Sequence, residues 1–396
     1  MKKIISILSL MSVFGVINAT NAAPAFSTPA KSAILIDYDS GLELFAKNAD
    51  TLIPPSSMIK LMTLSVLFEA VKSGELKMTD TMPVSEKADY RNPLWYPASK
   101  ICLEKGQNLS VRDAILGLIV LSGGDASVVV AEKLAGSEDA FLNLMQKHAR
   151  SIGMPLSTFG NASGLPNPSN LMTSRELATL AEHIITQHSD IYPLFATRRF
   201  EYDNYQSDWC REWGRTHTLN YNKLLFNMPG AEGMKTGHTK EGGYGMVASS
   251  KVGGRRLIAV VNGFQAKNHD GLANEVKRLL NHGYTTTTNK VFYQAGEEIA
   301  KIPVWYGRSA TVTATVEKTF AVTLQKNKPM TGLRVLARYD DPIPAPVRAG
   351  DHIGEIFAEL NGTVIARAPL VAANRVSKTQ FFGRVIKNLS VIFGGK

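Results

Sequence analysis

Cysteine is nearly absent: the chain of 396 residues has two, Cys102 and Cys210. Two thiols exclude a disulfide-stapled miniprotein and a cysteine-rich zinc module. They are compatible with one bridge or with two separate buried thiols. Long apolar runs are scarce as well. The stretch at residues 4–17 follows Lys2 and Lys3 and precedes small polar residues. It is short for a membrane span and has the layout of a secretory leader, with cleavage expected after Ala22. Acidic residues are missing from the tail, where Arg375, Lys378, Arg384, Lys387 and Lys396 stand alone. Leader and tail thus hold much of the formal charge of +10. No basic stripe interleaves with aromatics, so nucleic acid is not an expected partner. Repeats, low-complexity tracts and a His-Glu-x-x-His motif are absent, and His183 and His188 lack ligand spacing. Neither a metal nor any other cofactor is expected.

What is present is an ordinary globular composition, 44% hydrophobic and 20% charged, with length enough for two domains. "AILIDYDSGLELFAKNAD" reads as two strands around the turn Asp39-Ser40-Gly41. Pro54-Pro55 introduces a helix over 57–71, closed by Gly74 and apolar on nearly every face, hence buried. Residues 111–150 are helical in pattern, broken at "LSGGDAS"; "GNASGLPNPSN" is a loop, and 173–186 resumes as a helix. "YGMVASSKVG" and "RRLIAVVNG" read as neighbouring strands, and a helix over 270–284 follows. Past about residue 289, "ATVTATVEKTFAVTL", "GLRVLARY", "HIGEIFAEL" and "TVIARAPLV" are short β-rich stretches.

The expected class is therefore α/β (α+β): a leader at 1–22, an antiparallel sheet flanked by helices at 23–289, a small all-β sandwich at 290–372, and an ending at 373–396. In that ending Phe381, Phe382, Val385, Ile386, Leu389, Ile392 and Phe393 fall within about 140° of helical arc. Arg384, Lys387 and Asn388 lie opposite; a helix docked on the β module would show the same faces, but the basic residues, the lack of acids and the terminal position favour an amphipathic helix lying on an anionic membrane surface.

Candidate chemistry starts at "PPSSMIKLMT". A serine hydroxyl is a poor nucleophile until a base takes its proton. Lys60, three residues after Ser57, shares its helix face. A lysine acts as a base only when neutral, and burial, a neighbouring cation and a helix N-terminus all favour that form. Two further elements fit around this pair. Ser122 in "LSGGDA" sits on a glycine turn that would aim its hydroxyl into a cleft, where it could relay a proton. "GMKTGHT" puts Lys235 and Thr236 on a strand edge facing a substrate carboxylate, while Gly237 admits a peptide backbone alongside.

These three elements, in this order, resemble the signature of penicillin-binding proteins and β-lactamases. More closely, the chain resembles the low-molecular-mass penicillin-binding proteins that act as serine-type D-alanyl-D-alanine carboxypeptidases. The likeness runs nearly end to end, through "SGGDAS", "AGSEDAFLNLM", "SGLPNPSN", "RRLIAVVNG" and "FFGRVIKNL". It implies the penicillin-binding transpeptidase fold, acylation of Ser57 with Lys60 as base, and Ser122 as second serine. It also implies Lys235 as the cation of the third motif, and the amides of Ser57 and His238 as an oxyanion hole. Arg256 matches a place where the family often has an arginine near the substrate's terminal carboxylate. Implied partners are peptidoglycan stem peptides and β-lactams; the implied setting is the periplasm, at the inner membrane, in wall biogenesis and cell shape.

Two departures stand out. Gly124 replaces the asparagine usual in the second motif, leaving a gap for water or another side chain to fill, and Asn170 stands where many relatives have histidine. Gly124 motivates one alternative, a catalytically weak wall-interaction protein. A serine β-lactamase is the other; the acid-free loop "GNASGLPNPSNLMTS" and the long segment after Lys-Thr-Gly tell against it.

Overall fold

The computed structural model describes residues 2–9, 26–327 and 331–379. They form two compact units, the larger comprising Pro24–Tyr38 and Leu42–Tyr284. Its centre is an antiparallel sheet of five strands: β1 (Ser32–Asp37), β2 (Glu43–Lys47), β3 (Ala231–Thr239), β4 (Gly243–Val252) and β5 (Arg255–Phe264), in the order β2-β1-β5-β4-β3. Side chains alternate between faces along a strand. Ile34, Val247, Ile258 and Val260 accordingly enter one core, and Ala33, Leu35, Leu257, Ala259 and Val261 the other. Both faces are thus covered, which accounts for strands that read as almost unbroken apolar runs.

The first core is helical. Helix α1 (Lys60–Lys72) packs against α3 (Gly124–Ala135), α4 (Glu138–Ser151), α5 (Ser174–Gln187) and the short α2 (Val111–Leu116) lies nearby. Leu61, Met62, Leu64, Leu67 and Phe68 are all fully buried, because α1 has neighbours on every side. Caps fix where the outer helices begin: Ser137 accepts from the amide of Ala140 and Thr173 from that of Glu176, each worth about 1 kcal/mol. The second core lies under α7 (His269–Thr286), which contributes Leu272, Val276 and Leu279.

Two features differ from the sequence reading. Residues 57–59 belong to a 3₁₀ turn, Ser56–Ile59, and α1 starts only at Lys60. Helix α6 (Asp208–Thr216), which carries Trp209, Cys210 and Trp213, was not singled out in the sequence. Its hold comes from a disulfide between Cys102 and Cys210, whose α-carbons are 5.7 Å apart. That settles the open question about the two thiols.

The smaller unit is all-β. A seven-stranded sheet and a two-stranded one (Thr287–Tyr293 with Phe320–Gln325) share a core built from Ile302, Val312, Phe320, Val335, Ile356 and Leu370. Every β-rich stretch singled out in the sequence forms a strand here. Lys2–Ser9, within the expected leader, pairs antiparallel with Leu333–Asp340 at the end of the larger sheet. The amphipathic segment at 381–393 lies outside the described residues. Among the described residues no helix is long and apolar enough to cross a membrane.

Candidate active site

The tight 3₁₀ turn after Pro55 has three residues per turn, so it stacks Ser57 directly under Lys60. Lys60 Nζ lies 2.9 Å from Ser57 Oγ and also donates to the carbonyl of Ser163. That carbonyl is held in place from α1 by Thr63, whose hydroxyl donates to Ala162 O at 2.7 Å. Lys60 is only 2% exposed. Burial pulls its pKa down to about 7, with the charge of Asp125 working in the opposite direction. A substantial fraction of the amine is therefore neutral near pH 7.

A second lysine–serine pair stands beside the first. Ser122 ends the helical stretch Gly117–Leu121 in a left-handed conformation, φ 57°, which turns its side chain out of the helix. Lys235, on β3, donates to Ser122 Oγ at 2.9 Å and to the carbonyl of Thr236 at 3.1 Å. Lys235 is fully enclosed, and burial together with the charge of Lys60 holds its pKa well below the ordinary lysine value. Two buried amines within one cavity disfavour charging both at once.

Strand β3 closes the arrangement and leaves one edge free, being the terminal strand of the sheet. A methyl group on Gly237 would stand 2.9 Å from Ser57 N and 2.8 Å from Pro55 O. Only glycine lets the strand come this near to the serine's amide. Ser56 and Thr239, with hydroxyls 3.0 Å apart, tie the turn to the strand end. The resulting cleft has a volume of about 640 Å³ and is lined by Ser57, Lys60, Ser122, Thr236, Gly237 and His238, among others.

The sequence reading did not foresee the opposite wall. Asp125, immediately after the glycine turn, is completely buried and accepts hydrogen bonds from the amides of Ile101, Cys102, Leu103 and Ala126 at 2.9–3.1 Å. It pins the segment carrying Trp95 to Ser99 against the second motif. Trp95 is 1% exposed and donates its indole N–H to Lys87 O at 2.9 Å. A Cβ on Gly124 would meet its ring at 2.6 Å. The space expected at Gly124, for water or another side chain to fill, is occupied by the Trp95 ring. Tyr221 and His269 also line the cleft without having been singled out. They arrive from distant segments, and no local spacing links them to the motifs. Asn170 is buried as a loop brace, bonding Gly160 N and Leu165 O.

One expectation is corrected. Lys235 lies in register with Val247, and Val247 with Val260. Arg256 is four residues from that column, about 13 Å along the strand. It forms an ion pair with Glu232 at 2.7 Å and lies over the rings of Tyr38 and Tyr192. It does not line the cleft with Ser57, Lys60, Ser122, Thr236, Gly237 and His238.

A serine whose proton can pass to a buried amine, next to an unpaired strand edge, defines a serine acyl-transfer enzyme of the Ser-x-x-Lys type. Comparison with known proteins narrows this class. Residues 18–266 match the family of D-alanyl-D-alanine carboxypeptidases, and residues 288–378 match the penicillin-binding protein 5 C-terminal domain. The chain is 31% identical to D-alanyl-D-alanine carboxypeptidase DacA of Escherichia coli (strain K12), covering 92% of this chain and 88% of that protein. It is 30% identical to D-alanyl-D-alanine carboxypeptidase DacF of Bacillus subtilis, covering 89% and 87%. The crystal structure of penicillin binding protein 5 from Haemophilus influenzae superposes with a TM-score of 0.77 at 30% identity, over 90% of this chain and all of that one. The chain belongs to the D-alanyl-D-alanine carboxypeptidase family, and its activity is that of a serine carboxypeptidase of the penicillin-binding type.

Proposed function

We propose that this enzyme removes the terminal D-alanine from peptidoglycan stem pentapeptides through an acyl-enzyme on Ser57. The observation that carries the reading is the 2.9 Å contact between Ser57 Oγ and a lysine amine held near neutrality by burial. The stem peptide adds to the free edge of β3, beside Lys235 and Thr236. Ser57 attacks the carbonyl of the penultimate residue while Lys60 takes its proton, and the amides of Ser57 and His238 receive the oxyanion. Ser122, hydrogen-bonded to Lys235, relays the proton that Lys60 took up on to the departing D-alanine amine, so both hydroxyls and the Lys60 amine are restored by the end of the cycle. Water then attacks the ester, giving the tetrapeptide and restoring Ser57. A β-lactam acylates the same oxygen. Cross-linked peptides offer the same amide, so endopeptidase action is within reach of this chemistry. The one acid lining the cleft among the described residues is Glu241, exposed at its rim, which gives a β-lactamase reading little support.

The leader, the disulfide and the basic amphipathic tail support export to the periplasm and attachment to the outer face of the inner membrane, with a role in wall maturation and cell shape. Ser57→Ala is expected to abolish both labelling by a fluorescent penicillin and D-alanine release from a pentapeptide. Labelling retained at another residue, located by mass spectrometry, would overturn the assignment.

A further inference from the structure

Three side chains on the far half of α1 and the end of α5 converge away from the cleft. Glu69 Oε1 lies 3.2 Å from His183 Nε2 and 3.1 Å from His188 Nε2. The ligand-capable atoms of all three residues fall within 4.8 Å of one another. The residues 183 and 188 are five apart, which puts them on different faces of a continuous helix. Here α5 ends at Gln187, and His188 leaves helical geometry at φ −130°, ψ 43°, which brings its ring back beside His183. The sequence reading set this pair aside because the two histidines lack a recognised ligand spacing.

We infer that Glu69, His183 and His188 form a binding site for a divalent transition-metal cation of the zinc class, joining α1 to the C-terminal end of α5. Two imidazoles and one carboxylate are a recurrent zinc donor set, with water completing four-coordination. Bonds of about 2.0–2.1 Å in a tetrahedron place neighbouring ligand atoms roughly 3.3 Å apart. The two nitrogen-to-oxygen separations are already close to that, so little rearrangement is needed. The surroundings are graded as an ion site requires. The side chain of His188 is fully enclosed, His183 is 17% exposed and Glu69 is 42% exposed, leaving a route and a free face toward solvent. His148 lies edge-on to His183, with its Nε2 bonded to Ser65 Oγ at 2.8 Å, and forms the inner wall. Lys72, the nearby cation, turns its amine to Gln187 Oε1 at 3.1 Å.

Such an ion would brace the scaffold of the cleft. Helix α1 begins with Lys60, and the turn after His188 carries Phe195, which packs on Phe68 of α1 and beneath Gly233 of β3. The test uses the full chain without an affinity tag, titrated with Co²⁺ and then with Zn²⁺. One equivalent of Co²⁺ showing low-symmetry ligand-field bands, displaced by Zn²⁺, is expected. Thermal unfolding should shift upward with Zn²⁺. Glu69→Gln and His183→Ala, both at partly exposed positions, should each weaken binding at least about tenfold while leaving penicillin acylation of the metal-free protein unchanged. Absence of a stoichiometric site, or binding that survives both substitutions and so reports an adventitious ion only, overturns the proposal.

Discussion

Lys60 shows how little the identity of a residue says until its surroundings are known. The same amine on a surface would hold its proton to about pH 10.4; enclosed at 2% exposure it titrates near 7. Below that value Lys60 is protonated and cannot accept the serine's proton, and above it the amine is free. The rate of acylation by a penicillin is therefore expected to rise through about pH 7 and level off above it. A profile flat across that range would remove Lys60 from the role of base. Lys60→Ala should suppress acylation while the circular dichroism spectrum and melting curve stay close to those of the parent. Ser57 and Lys60 were legible from the sequence because three positions separate them, whereas Ser122 and Lys235, 113 residues apart, were each picked out by a short motif of its own. Arg256 was named through the family resemblance, and the register places it four residues from the column of Lys235, paired with Glu232 instead. At Gly124 the sequence called for water or another side chain to fill the space, but not for Trp95, which comes from a segment that no local pattern connects to the motif.

At the scale of elements, the cleft is a turn, a loop and a strand edge held at fixed spacing by a few buried polar groups. Asp125 is the most connected of these, a single carboxylate gathering four backbone amides from two segments. Asp125→Asn keeps the shape but turns an NH₂ toward N–H groups, leaving donors unpaired in a dry site. A loss of roughly 3 kcal/mol is expected, read as a lower denaturant midpoint, together with slower penicillin acylation as the Trp95–Ser99 wall loosens. Unchanged stability would show that the carboxylate is not what secures the wall. The sheet, the central helix and the β unit were all readable, because periods of 2 and 3.6 and glycine or proline breaks report burial directly. Helix α6 and the 3₁₀ turn were not: one is set by a covalent cross-link 108 residues away in sequence, the other by a proline pair and the strand packed over it.

Across the whole molecule, the unit boundaries follow the change in texture, from mixed helix and strand to strands alone. The functions assigned to the two ends of the chain belong to this scale. If the basic amphipathic tail is the attachment device, deleting residues 376–396 should release the protein from membranes while leaving penicillin acylation intact; undiminished sedimentation with membranes would refute it. Removal of the leader would in turn uncover the strand Leu333–Asp340, which Lys2–Ser9 flanks in the full chain. The cross-link between Cys102 and Cys210 has a different reach. In the chain-entropy description, a loop of this size contributes roughly 4–5 kcal/mol, and one of its anchors adjoins the amides that Asp125 collects. A newly made copy still among cytoplasmic reductants would carry two loose sulfhydryls and a slack rim to its substrate groove. If the chain is exported as proposed, maturation of the catalyst would be timed to delivery: the groove would acquire its final stiffness only where oxidants await it.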